Sequence, residues 1–298
     1  MIIYLDQNKW IELARVVHGK DIAAESINLL KEIKSTASAG LCTIPLSGIH
    51  YMETARISNP GRKERLGQVM WSISKGFTMA SFHDVIINEL EVALLEYFPQ
   101  IKVSPLKLIG KGCQHAFGEK FPSALPPDIE DKFERCILTG EPQFGENPPQ
   151  FYCDTFRKDF QQHLNSLDAI KGKISQTKWE DMLYAIVLAD ITEPLSEVMQ
   201  KNNISKAELE SLGAVKLRAL IENMPSRAVD MHLHRQVLRN AEYRAKVSDL
   251  EDWAGVGVAA QYCDVVVCEK HLGDMLQRDK FKTRARIETS LKRIFKSV

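Results

Sequence analysis

The sequence lacks a surplus of charge of either sign. Its 298 residues set 39 Lys+Arg against 39 Asp+Glu, so nothing global draws the chain to nucleic acid or to an anionic membrane, and such a partner must be held by a local patch. No uninterrupted apolar run reaches the roughly 18 residues that would span a bilayer, and no basic leader precedes an apolar core of about 7 to 15 residues. A soluble, cytoplasmic protein with no membrane partner is the expectation. The six cysteines (Cys42, Cys113, Cys136, Cys153, Cys263, Cys268) form no C-x-x-C pair and have no histidine at zinc-finger spacing. They read as reduced, mostly buried thiols, and structural zinc is not expected. There is no internal repeat and no low-complexity tract. What the chain does have is 44% hydrophobic residues, enough for a sizeable core.

The first hundred residues alternate strand and helix. Met1–Leu5 reads as a strand, about Lys9–Val17 and Ile22–Ser38 as helices, and LCTIPL at 41–46 as a second strand. Ser47 is placed to cap a helix over about Gly48–Ile57. Phe77–Phe82 is a weaker strand and Ile86–Tyr97 an apolar helix. From Pro99 to about Asn147 prolines and glycines cluster, which suggests long loops around a short helix at Ile129–Leu138. Helical segments follow near 152–170, 178–200, 205–223 and 226–243. The β/α signal then returns as a helix in SDLEDWAGVGVAAQY, a buried strand in CDVVVC, a helix in EKHLGDMLQRD and a strand in TRARIETS. The fold class expected is α/β, a parallel sheet flanked by helices. Residues 1–97 and 240–298 make one domain of ordinary size, and 98–239 is a mainly helical insertion between its halves.

Acids stand where such a sheet would collect them. Asp6 ends the first strand, Glu53 lies on the helix after the second, and Glu269 follows CDVVVC. Strand C-termini share one edge of a doubly wound sheet, so these three are expected to converge there. Asp249 and Asp252, three apart on the helix before CDVVVC, join them if that helix starts at the same edge. Crowded carboxylates repel unless a hard cation lies between them, and oxygen-only ligands suit Mg²⁺ or Mn²⁺ where zinc would prefer His and Cys.

Three stretches, YLDQN at 4–8, PLSGIHYMETAR at 45–56 and DWAGVGVAAQYCDVVVCEK at 252–270, resemble the PIN-domain (PilT N-terminus) nuclease superfamily. In that family a hydrophobic strand ends in Asp-x-Asn, a Glu follows the second strand, and a late Asp-bearing helix leads into a strand ending near Thr-x-Asp. The resemblance covers about half the chain, since nothing in 98–239 belongs to the usual small fold. It implies a PIN-like fold and Mg²⁺/Mn²⁺-dependent hydrolysis of RNA to a 5′-phosphate and a 3′-hydroxyl, with Asp6, Glu53 and Asp252 as metal ligands and Asn8 as an orienting residue. The family's last acid is replaced by Lys270, and its Thr by Cys268. Either Glu269 or Asp249 supplies the missing charge, or the chemistry is altered or lost. The catalytic set expected is Asp6, Glu53, Asp249, Asp252 and Glu269, with Asn8, Arg56 and Lys270 toward substrate. The tail from Lys270 carries nine Lys/Arg against three Asp/Glu, a local excess suited to a nucleic-acid backbone. RNA is the expected substrate, an inhibitor protein or a second copy of the chain the further partner, and a toxin or defence role the analogy. The alternative is a catalytically silent scaffold that binds protein or RNA through the insertion.

Blander readings compete at each position. Asp6 is placed to cap the first helix, a role that stabilises by about 1 kcal/mol. Glu53 can pair with Arg56 on its own helix, and Asp249 can complement a helix dipole. Ser248 with Glu251 makes a capping box. Asp264 reads as a turn residue, and Met275 and Leu276 as core. His232 and His234 alternate within a helix and cannot chelate one ion as an i, i+4 pair would. The stretch GKGCQHAFGEK at 110–120 lacks G-x-x-x-x-G-K-[ST] and reads as a loop, either a lid with His115 at substrate or plain surface.

Overall fold

A computed structural model of the chain describes residues 1–119, 126–142, 176–240, 242–244 and 246–295, with 158, 161, 162, 164–166, 168 and 169. The helix expected near 152–170 lies largely outside the described residues, as does most of the proline- and glycine-rich tract at 121–125 and 143–150. In chain order the elements are β1 (Ile3–Leu5), α1 (Gln7–Val17), α2 (Ala24–Ser38), α3 (Gly48–Ala55), α4 (Pro60–Ser74), β2 (Phe77–Met79), α5 (Phe82–Leu95), β3 (Ile109–Lys111), α6 (Gly112–Phe117) and α7 (Pro127–Thr139). They continue as α8 (Gln176–Asp190), α9 (Thr192–Lys201), α10 (Lys206–Ser211), α11 (Gly213–Glu222), α12 (Pro225–Arg239), α13 (Val247–Tyr262), β4 (Val265–Val267), α14 (Lys270–Gln277) and β5 (Arg286–Glu288).

The chain is mixed α/β, and its contacts divide it into two compact units. One comprises Met1–Ser81, the described part of Leu108–Asp154, and Tyr262–Val298; the other comprises Phe82–Lys107 and the described part of Thr155–Gln261. In the first unit β1, β4 and β5 form a parallel sheet, with Leu5 opposite Val267 and Val267 opposite Glu288. Strands β1 and β4 are buried at every residue, as the runs Ile-Tyr-Leu and Val-Val-Val require of a sheet covered on both faces. The expected second strand, Leu41–Leu46, is not a continuous strand: parallel bridges join Thr43 to Ile2 and Leu46 to Thr78. Pro45 stands between them and has no N–H to donate, which interrupts the ladder. Ordered across the first unit, the strands run β5, β4, β1, the 41–46 segment and β2, and β3 then pairs antiparallel with β2. From β1 the chain steps to one side, then returns late to the other, so the order reverses between β1 and β4. Parallel sheets bind ligands in the crevice at such a reversal, beyond the strand C-termini.

Two elements of this unit depart from the sequence reading. Helix α4 fills a stretch where sequence pattern suggests no element. Asn59 caps it by accepting the Arg62 N–H at 2.9 Å, and it packs on α7, where a Cβ on Gly67 would lie 2.5 Å from the Leu138 carbonyl oxygen. The stretch at 110–119 is not a loop but the end of β3 followed by α6, with His115 Nδ1 2.8 Å from Thr78 Oγ1. That hydrogen bond ties His115 to β2.

In the second unit buried carboxylates hold helices together. Glu89 accepts from the Ser226 N–H and hydroxyl at 2.9 and 2.8 Å, anchoring the start of α12 to α5. Fully buried Glu91 receives Lys201 at 2.6 Å and the Ser104 N–H at 2.6 Å. Cys42, Cys113, Cys136, Cys263 and Cys268 are buried thiols, and Cys153 lies outside the described residues. Among the described residues no helix is long and apolar enough to cross a membrane.

Candidate functional site

At the reversal between β1 and β4 the first side chain is Asp6. Its N–H donates to the Val267 carbonyl at 2.9 Å, prolonging the β1–β4 ladder by one residue. The residue is 3% exposed. Oδ1 accepts the Gln7 N–H at 2.7 Å, the capping contact that the sequence suggests, while Oδ2 is buried and makes no hydrogen bond of good geometry among the described residues, the Glu269 N–H being the further backbone donor that acts on the carboxyl. Capping therefore explains one oxygen and leaves the other. Burial raises the Asp6 pKa to about 6; the Gln7 hydrogen bond opposes this, and the Glu269 charge adds to it.

Glu269 closes the crevice from the β4 side. It sits in extended conformation before α14 and makes no capping bond; its Oε1 accepts a short hydrogen bond from Asn8 Nδ2. Asp6, Asn8 and Glu269 are thus brought together across the two strands. Lys270, where the resemblance places an acid, is engaged elsewhere. Its exposed ammonium pairs with Asp274 at 2.6 Å, and the lysine charge that acts on Asp6 is Lys9, itself bound to Glu12 at 2.6 Å. Elsewhere in the basic tail Arg286 and Arg293 pair with Glu288, and Lys292 with Glu25, which reduces the positive charge offered to a backbone.

Glu53 lies on α3, partly buried, with the Arg56 guanidinium 4.0 Å away. The bland pairing is therefore present, at the limit of an ion pair. Helix α3 is tied to the β1–α1 junction by three contacts. Gln7 Nε2 donates to Thr54 Oγ1 at 3.2 Å, Tyr4 Oη lies 3.4 Å from Ser47 Oγ, and His50 bridges two backbone groups. The Ser47 N–H donates to His50 Nδ1 at 2.8 Å, which leaves the proton on Nε2, 2.8 Å from the Leu5 carbonyl. Burial lowers the His50 pKa to about 4, so the ring is neutral. The sequence reading missed this residue. A signal was available, because His50 holds the third helical position after Ser47, where a side chain reaches back to the cap N–H.

Asp249 and Asp252 belong to the second unit. Helix α13 begins at Val247, so the expected Ser248–Glu251 capping box does not form and Glu251 is buried. Asp249 takes the reciprocal position instead, its Oδ2 accepting the Lys246 N–H at 2.9 Å and the Tyr243 hydroxyl at 2.7 Å. Asp252 stands one turn along, half-buried. Burial, the Asp249 hydrogen bond and the charges of both aspartates push the Tyr243 phenol far above its ordinary range.

Among the described residues no group of three or more His, Cys, Asp and Glu side chains is disposed to hold a metal ion. The donors at the crevice are nonetheless those of a hard cation. All are oxygens, and one is a buried carboxylate oxygen that makes no hydrogen bond of good geometry among the described residues. Mg²⁺ is commonly held by one or two carboxylates with water completing its shell, so Asp6 and Glu269 fit that chemistry. Compared with family models, curated proteins and solved structures, the chain matches none.

Proposed function

We propose that the chain is a PIN-like, Mg²⁺- or Mn²⁺-dependent ribonuclease whose centre is the crevice at Asp6 and Glu269. The observation that carries this reading is the buried Asp6 carboxyl beside Glu269, whose Oδ2 makes no hydrogen bond of good geometry among the described residues. A carboxyl in that position is unfavourable for folding unless something else meets it. Asp6 and Glu269 would hold the ion, with water completing its shell; Glu53, Asp252 and Asp249 enter through the family pattern alone. When bound, such an ion lowers the pKa of water and offsets charge on a leaving oxygen. The chain's own residues supply the rest. Asn8 orients the Glu269 carboxylate, Lys9 partly balances Asp6, and Arg56 is the cation assigned to the substrate phosphate. Lys270, committed to Asp274, leaves the acids unneutralised, which favours an active site over a silenced one.

The test is cleavage of RNA oligomers with Mn²⁺. Asp6→Asn should abolish cleavage, and Glu269→Gln should lower it by about 10- to 100-fold, with single nucleotides not turned over by any form. Full activity in Asp6→Asn would refute the proposal. The second reading is a silent scaffold binding protein or RNA, favoured by the lack of a three-residue metal group among the described residues. Wild-type protein that binds RNA and leaves it intact would establish that reading instead.

A further inference from the structure

We propose that His50 is a positioning residue that fixes Asp6 relative to the helix bearing Glu53, an inference that rests on the ribonuclease reading for its purpose but not for its test. The imidazole is fully buried. Its ring lies 5.2 Å from that of Tyr4 and, edge-on, 6.3 Å from that of Trp10. Each nitrogen is committed to a backbone atom of a different element: Nδ1 to the Ser47 N–H at the head of α3, Nε2–H to the Leu5 carbonyl that immediately precedes Asp6. Burial obliges both nitrogens to find partners, and the partners they find belong to the two segments that carry Asp6 and Glu53. Rotating or losing the ring frees the Leu5 carbonyl inside the core and releases the β1 terminus from α3. The Gln7–Thr54 and Tyr4–Ser47 contacts are longer ties between side chains, whereas His50 grips backbone on both sides.

Two near-isosteric variants separate positioning from packing. In His50→Gln the amide nitrogen can occupy the place of Nε2 and keep the Leu5 contact. In His50→Asn the side-chain oxygen can occupy the place of Nδ1, keeping Ser47 and losing Leu5. Hydrogen exchange in the absence of metal is the first readout. His50→Asn should accelerate the Asp6 and Gln7 amides by about tenfold or more beyond any change at β4 and α4, and His50→Gln should not. The second readout is the rise in melting temperature on adding Mn²⁺, retained in His50→Gln and largely lost in His50→Asn. Unchanged exchange at Asp6 and Gln7 in His50→Asn, or a uniform increase across the core in both variants, overturns the proposal. A wild type that Mn²⁺ does not stabilise counts against the ribonuclease reading, and the exchange result still decides the role of His50. Should His50→Asn not fold, ¹⁵N spectra of the wild-type imidazole and exchange in His50→Gln carry the test. A ring protonated on Nδ1, or Asp6 and Gln7 amides loosened in His50→Gln, would refute it.

Discussion

Asp6 and His50 make opposite contributions to the pH dependence of folding. Asp6, raised from 3.8 to about 6, binds its proton more tightly when folded. Its contribution is fully present below pH 3.8 and lost as pH rises through 6. His50, lowered from 6.5 to about 4, behaves the other way, and its contribution is lost as pH falls from 6.5 through 4. Between pH 4 and 6 the two slopes offset each other in the wild type. Asp6→Asn removes one of them, so urea unfolding should show the variant gaining on the wild type across that window, reaching on the order of 2 kcal/mol by pH 8. A variant no more stable at pH 8 than at pH 4, relative to the wild type, would show that the Asp6 carboxyl is not held as described. The sequence made Asp6 legible because an acid ending an apolar strand is conspicuous. It did not make His50 legible, because a histidine on an apolar helix face looks like any core residue until both its nitrogens are placed.

Elements were readable where burial alone decides them. Ile-Tyr-Leu and Val-Val-Val can only be covered strands, and β1 and β4 are that. Helix α4 escaped the sequence reading although Asn59-Pro60 is a helix-start signal, because Gly61 and Gly67 look like breakers. Only the contact with α7 explains Gly67, whose missing side chain admits the Leu138 carbonyl. Gly67→Ala should therefore lose about 1–3 kcal/mol in chemical denaturation, despite the better helix propensity of alanine. A neutral or stabilising outcome would contradict that close approach. The 41–46 segment shows the converse: its hydropathy is that of a strand, but Pro45 withholds the donor a ladder needs.

At the scale of the whole molecule, composition shifts near Pro99 and Asn240, while the compact units exchange chain at Ser81–Phe82, Lys107–Leu108, Asp154–Thr155 and Gln261–Tyr262. Hydropathy cannot say which core an apolar helix such as α5 joins, since either would bury the same face. The crevice between β1 and β4 needs no such boundary, being built from the first unit alone. The central claim is that the buried carboxyl of Asp6 receives a divalent cation, and calorimetry of Mn²⁺ binding in buffers of different ionisation enthalpy measures that directly. The expected result is release of about half a proton per ion at pH 6, falling toward none by pH 8 and absent in Asp6→Asn. Mn²⁺ binding with the same affinity and proton count in wild type and Asp6→Asn, or no binding at all, would contradict it.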